Sequence, residues 1–205
     1  MKVKEVKSYL LNPGWGKNLL FVKIATDNGL VGWGECYTQS DRDKTIVTHL
    51  EHMSKYLKGR DPFEIKYFNQ IIFDDYASRR GSMEIFSALS GIEQALWDIC
   101  GKETKQPVYN LLGGPSRGKL RVYANGWYAG ALVPEDYAEK AKKTIDKGFT
   151  ALKFDPIPGP FRSIISKNNL EQSIETVRQV REAVGPNIDL LIEVHRRLSP
   201  MTAIK

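Results

Sequence analysis

The start of the chain alternates between apolar and polar positions in three short runs, Val3 to Leu10, Leu19 to Thr26 and Val31 to Tyr37. Successive side chains of a strand point to opposite faces, so a period of two predicts strands with one buried face. Asp27-Asn28-Gly29 joins the second run to the third. An Asn-Gly between alternating runs predicts a tight primed hairpin turn in which both residues take positive φ, and with it a three-stranded antiparallel meander. From Asp41 the period lengthens to about 3.6, with Ile46, Leu50, Met53 and Leu57 on one face and Gly59 as the stop, and a second such run begins near Pro62. A longer helix is predicted from about Met83 to Lys102. There Ile85, Leu89, Ile92, Leu96 and Ile99 form a continuous apolar stripe, flanked by Ala88, Gly91 and Ala95, which are small enough for close packing.

After Leu111-Leu112-Gly113-Gly114-Pro115 the pattern becomes strand, helix, strand, helix, strand. Leu120 to Trp127 reads as a strand, Pro134 to Lys147 as a helix opened by Pro-Glu-Asp and closed by Gly148, and Thr150 to Phe154 as a strand. A helix from about Leu170 to Ala183, closed by Gly185, leads into a strand over Ile188 to Val194, and Thr202 to Lys205 opens a further helix. Alternation at this spacing implies parallel strands in βα units. The boundary between the α+β part and the βα array falls at Gly114 to Lys119, which divides the chain into residues 1–117 and 118–205. A closed (β/α)8 barrel takes about 250 residues. The array here supplies three strands and two full helices, so the expected fold is an α+β domain followed by the first part of an incomplete (β/α) barrel.

With 205 residues, 41% of them hydrophobic and 26% charged, the chain has enough apolar material for a globular core. The net charge of +6 invites a nucleic-acid partner, yet Lys and Arg are interleaved with acids, as in Glu139-Lys140-Ala141-Lys142-Lys143, and form no stripe. Binding to nucleic acid is therefore not expected, and neither is a membrane span, since no apolar run approaches the required length. Absence of a secretory apolar stretch after Met1 gives a cytoplasmic expectation. Cys36 and Cys100 stand alone, without CxxC spacing, and read as ordinary buried thiols. His49 and His52 lie three apart on the first helix with no third ligand, so they read as a solvated or half-buried helix face. Gly32-Trp33-Gly34 lacks the third glycine of a dinucleotide loop, and Gly113-Gly114-Pro115 is not followed by GK[ST]. Both read as backbone requirements.

Ionisable residues collect at the C-terminal ends of the array's strands, the edge where βα folds bind ligands. Glu193 and His195 share one face of the third strand, as do Lys153 and Asp155 on the second, and Asn125 and Trp127 on the first. A carboxylate two residues from an imidazole can supply a metal ligand and a proton-transfer group to one substrate. By spacing alone the same residues also fit a strand-end ion pair, a surface pair near Arg196 and Arg197, or a Lys-Asp or Lys-Glu salt bridge across the sheet. Asn125 and Trp127 could line the same mouth, but their residue types favour packing over function.

The run Ala88 to Lys102, continuing through Pro107-Val108-Tyr109-Asn110-Leu111-Leu112-Gly113, resembles the signature helix of the mandelate racemase and muconate lactonizing family of the enolase superfamily. Arg121 to Tyr128, Ala151 to Pro156 and Leu191 to Arg197 resemble its gluconate and galactonate dehydratase-type members. The resemblance implies an N-terminal capping domain that closes over a modified TIM barrel, in proteins roughly twice this length, and substrate selection in loops such as Asn12 to Asn18. It implies that Glu193 stands where the family has the first of three carboxylate ligands for Mg2+, a position at which many relatives carry Asp. It also implies that His195 is the general acid on a departing 3-hydroxyl after abstraction of the proton α to a carboxylate, giving a 2-keto-3-deoxy acid. Lys153 joins His195 in the catalytic set, and Asp155, Asn125 and Trp127 face the substrate. In racemases and cycloisomerases the second strand ends in K-x-K, whereas Asp155 takes the second position here, which places the base elsewhere in the barrel. In the dehydratases that base is a histidine on a later strand, and neither it nor two of the metal ligands is among these residues.

The expected function is thus the N-terminal part of a Mg2+-dependent hydro-lyase acting on a small sugar acid of the gluconate or galactonate type, a homo-oligomer at full length. A racemase or epimerase of the same family is the alternative enzyme. A truncated or split-gene product, inactive until joined by a complementary half, is the alternative of a different class.

Overall fold

The computed structural model describes residues 1–14, 16–38, 41–158, 165–195 and 197–204. Trp15 of the expected specificity loop, Arg196 and Lys205 lie outside the described residues. The chain divides into two compact units, Met1–Ser116 and Arg117–Lys205.

The first unit opens with β1 (Val3–Leu11), β2 (Leu19–Thr26) and β3 (Val31–Cys36), an antiparallel sheet in the order β1-β2-β3. Alternation decides its faces: Leu20, Val22, Ile24 and Thr26 of β2 are buried while the residues between them are more exposed. The β2-β3 hairpin differs from the expected primed turn. Only Gly29 takes a positive φ there, 90°. Gly29 N donates to Thr26 O at 3.3 Å, and Thr26 and Leu30 are bonded at 2.9 Å. The connection is therefore a three-residue loop with glycine alone in the left-handed position, and Asn28 instead accepts the Thr26 hydroxyl through Oδ1 at 2.6 Å.

Helices α1 (Asp43–Leu57) and α2 (Ile65–Ile71) follow, the latter running into a π-helical turn, Ile72–Tyr76. Helix α1 buries Ile46, Leu50, Met53 and Leu57, the face its period marked. Helix α3 (Met83–Thr104) starts at Ser82, whose hydroxyl accepts from Ile85 N at 3.3 Å. It buries Ala88, Gly91, Ile92, Ala95, Leu96 and Ile99 in one core with α1 and the sheet. Each of the larger of these side chains contributes about 1.5–3 kcal/mol by leaving water. Helix α3 also lies directly on β3. A Cβ on Gly34 would stand 2.0 Å from Gly91 O, and one on Gly32 2.0 Å from Ala95 O. The two glycines of Gly32-Trp33-Gly34 are thus close-approach positions, the backbone requirement expected of them. A short helix, α4 (Val108–Leu111), ends the unit. Both thiols are buried, and burial pushes Cys36 up to about 12 and Cys100 up to about 11.

The second unit holds α5 (Pro134–Ile145), β4 (Ala151–Phe154), α6 (Lys167–Val184), β5 (Asp189–Ile192) and α7 (Pro200–Ile204). Strands β4 and β5 pair in parallel, with Lys153 opposite Leu191 and Phe154 opposite Ile192. Leu152 and Phe154 are fully buried against Ala141, Val180 and Val184 from the two helices. Helix α5 begins with Pro134, and the Asp136 carboxylate accepts from Leu132 N at 3.0 Å and Val133 N at 3.4 Å. Helix α6 begins at Ser166 and ends at Gly185, φ 76°.

Two expected strands are shorter than their sequence patterns. Leu120 to Trp127 is reduced to one parallel bridge, Ala124 to Leu152. Ala124 makes the backbone exchange with β4, accepting from Lys153 N at 2.8 Å and donating to Ala151 O at 2.9 Å. Leu120, Val122 and Tyr123 are exposed, because nothing among the described residues covers that segment. Strand β5 stops at Ile192, and His195 sits in a turn at φ 48°. No helix among the described residues is long and apolar enough to cross a membrane.

Candidate active site at the strand ends

Strand β4 turns Leu152 and Phe154 into the core and leaves Lys153 and Asp155 on the opposite face, as alternation requires. From there Lys153 Nζ reaches Glu193 Oε2 at 2.8 Å, across the β4-β5 pair. The hydrogen bond to Lys153, and next the one from the His195 amide, hold the Glu193 carboxyl below its usual range, and the bond to Glu193 raises Lys153. Lys153 Nζ also lies 5.9 Å from the centre of the Tyr123 ring. Both side chains remain about a third exposed, so the pair faces a wet surface.

His195 is reached in a way that strand alternation did not anticipate. The chain leaves the strand after Glu193, whose amide still bonds Phe154 O at 2.9 Å, and turns back. The turn brings the His195 backbone N–H to Glu193 Oε1, 2.8 Å away, while Nδ1 stays 3.8 Å from the same oxygen. Glu193 therefore receives Lys153 on one oxygen and the His195 amide on the other, and the imidazole projects outward, largely exposed. The structure thus brings Lys153, Glu193 and His195 together.

Asp155 makes different contacts. It ion-pairs with Arg197, accepts from Ile157 N at 3.1 Å, and is nearly covered. Arg197, close to the Glu193–His195 motif in sequence, pairs with the neighbouring strand end. Trp127 and Asn125 do not share a strand face, because their segment has turned at Gly126, φ 71°. The Trp127 indole donates to Lys153 O at 2.9 Å, and its ring stands edge-on to Tyr128, Tyr137 and Phe154. Asn125 Oδ1 accepts from Gly126 N at 3.0 Å and remains exposed.

Glu193 fits a hard cation as one oxygen donor, since each carboxylate oxygen keeps lone-pair capacity beyond its present bond. Among the described residues no three of His, Cys, Asp or Glu come together to hold a metal. The described residues thus offer one candidate oxygen donor and no closed site. Arg197 and Tyr123 were absent from the candidates that spacing suggested. Arg197 gave a signal as a charge just past the E-x-H motif, and Tyr123 gave none.

Comparison with known proteins gives this geometry a family. Residues 16–113 match the mandelate racemase / muconate lactonizing enzyme N-terminal domain, and residues 136–205 match the enolase C-terminal domain-like family. The chain is 39% identical to the D-gluconate/D-galactonate dehydratase of Picrophilus torridus, over 99% of this chain and 53% of that protein. It is 38% identical to the D-gluconate dehydratase of Thermoproteus tenax, over 99% of this chain and 41% of that protein. A solved mandelate racemase/muconate lactonizing enzyme from Jannaschia sp. CCS1 superposes with a TM-score of 0.89 at 30% identity, covering 100% of this chain and 57% of that one. The chain spans about half the length of these relatives. It belongs to the mandelate racemase / muconate lactonizing enzyme family of the enolase superfamily, with the N-terminal α+β domain and the opening strands of the barrel.

Proposed function

We propose that this chain is the N-terminal part of a Mg2+-dependent acid-sugar dehydratase that converts an aldonate of the gluconate or galactonate type to a 2-keto-3-deoxy acid. The observation that carries the reading is the strand-end cluster, in which the Glu193 carboxylate takes Lys153 Nζ and the His195 amide while the His195 imidazole faces outward beside it. The names of the two dehydratase relatives support the substrate class.

In this reading Lys153 and the His195 amide keep Glu193 ionised and fixed in orientation, ready to serve as one metal ligand. Mg2+, held by Glu193 with further oxygen donors, would supply Lewis-acid stabilisation of the charge that develops when the proton α to the carboxylate is removed. His195 delivers a proton to the leaving 3-hydroxyl, a role suited to an exposed imidazole at the open end of the strands. Position 155 supports loss of water over racemisation. The family's second lysine base is replaced there by an aspartate already paired with Arg197.

The test is to supply D-gluconate and D-galactonate with Mg2+ in deuterated water to the protein at its natural length. Dehydration is expected to give a 2-keto acid one water lighter, with solvent deuterium at C3. An aldonate of unchanged mass apart from deuterium at C2 would establish a racemase or epimerase instead, and no change in any aldonate would end the dehydratase reading.

A further inference from the structure

The turn after β5 holds His195 at φ 48°, a conformation that costs a non-glycine residue free energy and persists where surrounding contacts fix it. Its fixings can be named. Glu193 Oε1 takes the His195 amide at 2.8 Å, and the Arg197 amide closes the turn on Val194 O at 2.9 Å. The Arg197 side chain then leaves β5 altogether. Its guanidinium donates to Ile157 O at 2.6 Å and pairs with the Asp155 carboxylate, both in the segment that follows β4. Asp155 Oδ1 accepts Ile157 N at 3.1 Å, and Tyr137 Oη donates to Asp155 O at 3.5 Å, so the receiving loop is itself anchored. The pair is mostly withdrawn from solvent, with Asp155 11% and Arg197 25% exposed. A planar guanidinium that bonds two groups at once fixes direction as well as distance, which an ammonium does not.

We infer that Arg197, seated on Asp155, is a positioning residue for His195. It ties the β5 turn to the end of β4 and so sets where the imidazole stands beside Glu193. Asp155 then acts through Arg197 rather than by touching substrate. What His195 does for catalysis rests on the dehydratase reading, whereas its placement by Arg197 does not.

The experiment is amide hydrogen exchange and backbone chemical shifts by nuclear magnetic resonance on the chain itself, which need neither metal nor substrate. Arg197→Ala is expected to speed exchange of the His195 amide by at least about tenfold and to move the His195 shifts away from left-handed values. Leu152 and Val180, in the core, are expected to stay protected. Arg197→Lys should restore only part of the protection, because it can keep the pairing with Asp155 but not both bonds. Asp155→Asn keeps the shape and the acceptor for Ile157 while weakening the pairing, and is expected to fall between wild type and Arg197→Ala. Unchanged His195 exchange in a folded Arg197→Ala chain would overturn the inference. So would loss of core protection in both Arg197→Ala and Asp155→Asn, which would make the pair a folding element only. If exchange responds as expected and no aldonate is dehydrated, the positioning role stands and the dehydratase reading fails.

Discussion

His49 and His52 divide the solvated or half-buried helix face that their spacing suggested. His49 Nδ1 meets Tyr76 Oη at 2.6 Å, the two rings stand edge to face at 5.8 Å, and His49 is half-buried while His52 stays exposed. Burial lowers the affinity of His49 for a proton; the Glu84 carboxylate opposes that effect and His52 adds to it. A histidine whose folded pKa lies below the unfolded value of about 6.5 binds fewer protons when folded. Its contribution to stability is complete above that pH and is lost as pH falls through the folded value. Urea midpoints are therefore expected to drop as pH falls below about 6.5, and His49→Gln is expected to flatten that drop. An equal slope in the variant would show that other groups carry the acid sensitivity.

At the scale of elements, α3 does two things for β3. It packs against Gly32 and Gly34, and it caps the free backbone groups of the sheet's edge with side chains four residues apart. Gln94 exchanges bonds with Glu35 N and O at 3.1 Å, Asp98 takes Trp33 N at 2.9 Å, and Lys102 reaches Val31 O at 2.7 Å. An edge strand covered in this way has no row of donors left for another chain. Gly34→Ala would drive a methyl into the α3 backbone, which cannot step aside, and is expected to cost on the order of 3 kcal/mol in chemical denaturation. A loss below about 0.5 kcal/mol would mean that the helix shifts freely on the sheet. The meander, α1 and α3 were legible in the sequence because each has a strong period and a partner on its buried side. Leu120 to Trp127 carries the same alternation, yet becomes a strand at Ala124 alone, since pairing is decided by neighbours and not by the pattern. The site was legible by residue type. Its geometry was not, because neither a left-handed turn at His195 nor an ion pair between Asp155 and Arg197, 42 positions apart, leaves a local signature.

At the scale of the whole molecule, apolar surface in the second unit sets the behaviour expected in solution. Leu191, Ile192 and Val194 are 37%, 42% and 40% exposed, and a hollow of about 650 Å³ between β5 and α6 is lined by Ile174, Val177, Ile192, Val194 and Leu198. The outer edge of β5 has no strand partner among the described residues. Such a surface favours association, and sedimentation is expected to show species larger than a monomer that grow with concentration. A single monomeric boundary at all concentrations would contradict this. The proposed chemistry makes Glu193 and His195 parts of one dehydratase site. It is tested most directly by measuring Mg2+-dependent formation of 2-keto-3-deoxy acid from D-gluconate or D-galactonate by the protein at its natural length, as wild type and as His195→Asn. Product is expected in the wild type, with at least about a hundredfold slower turnover in the variant and the fold unchanged. Turnover that survives the loss of His195, or no product from either sugar acid, would contradict it.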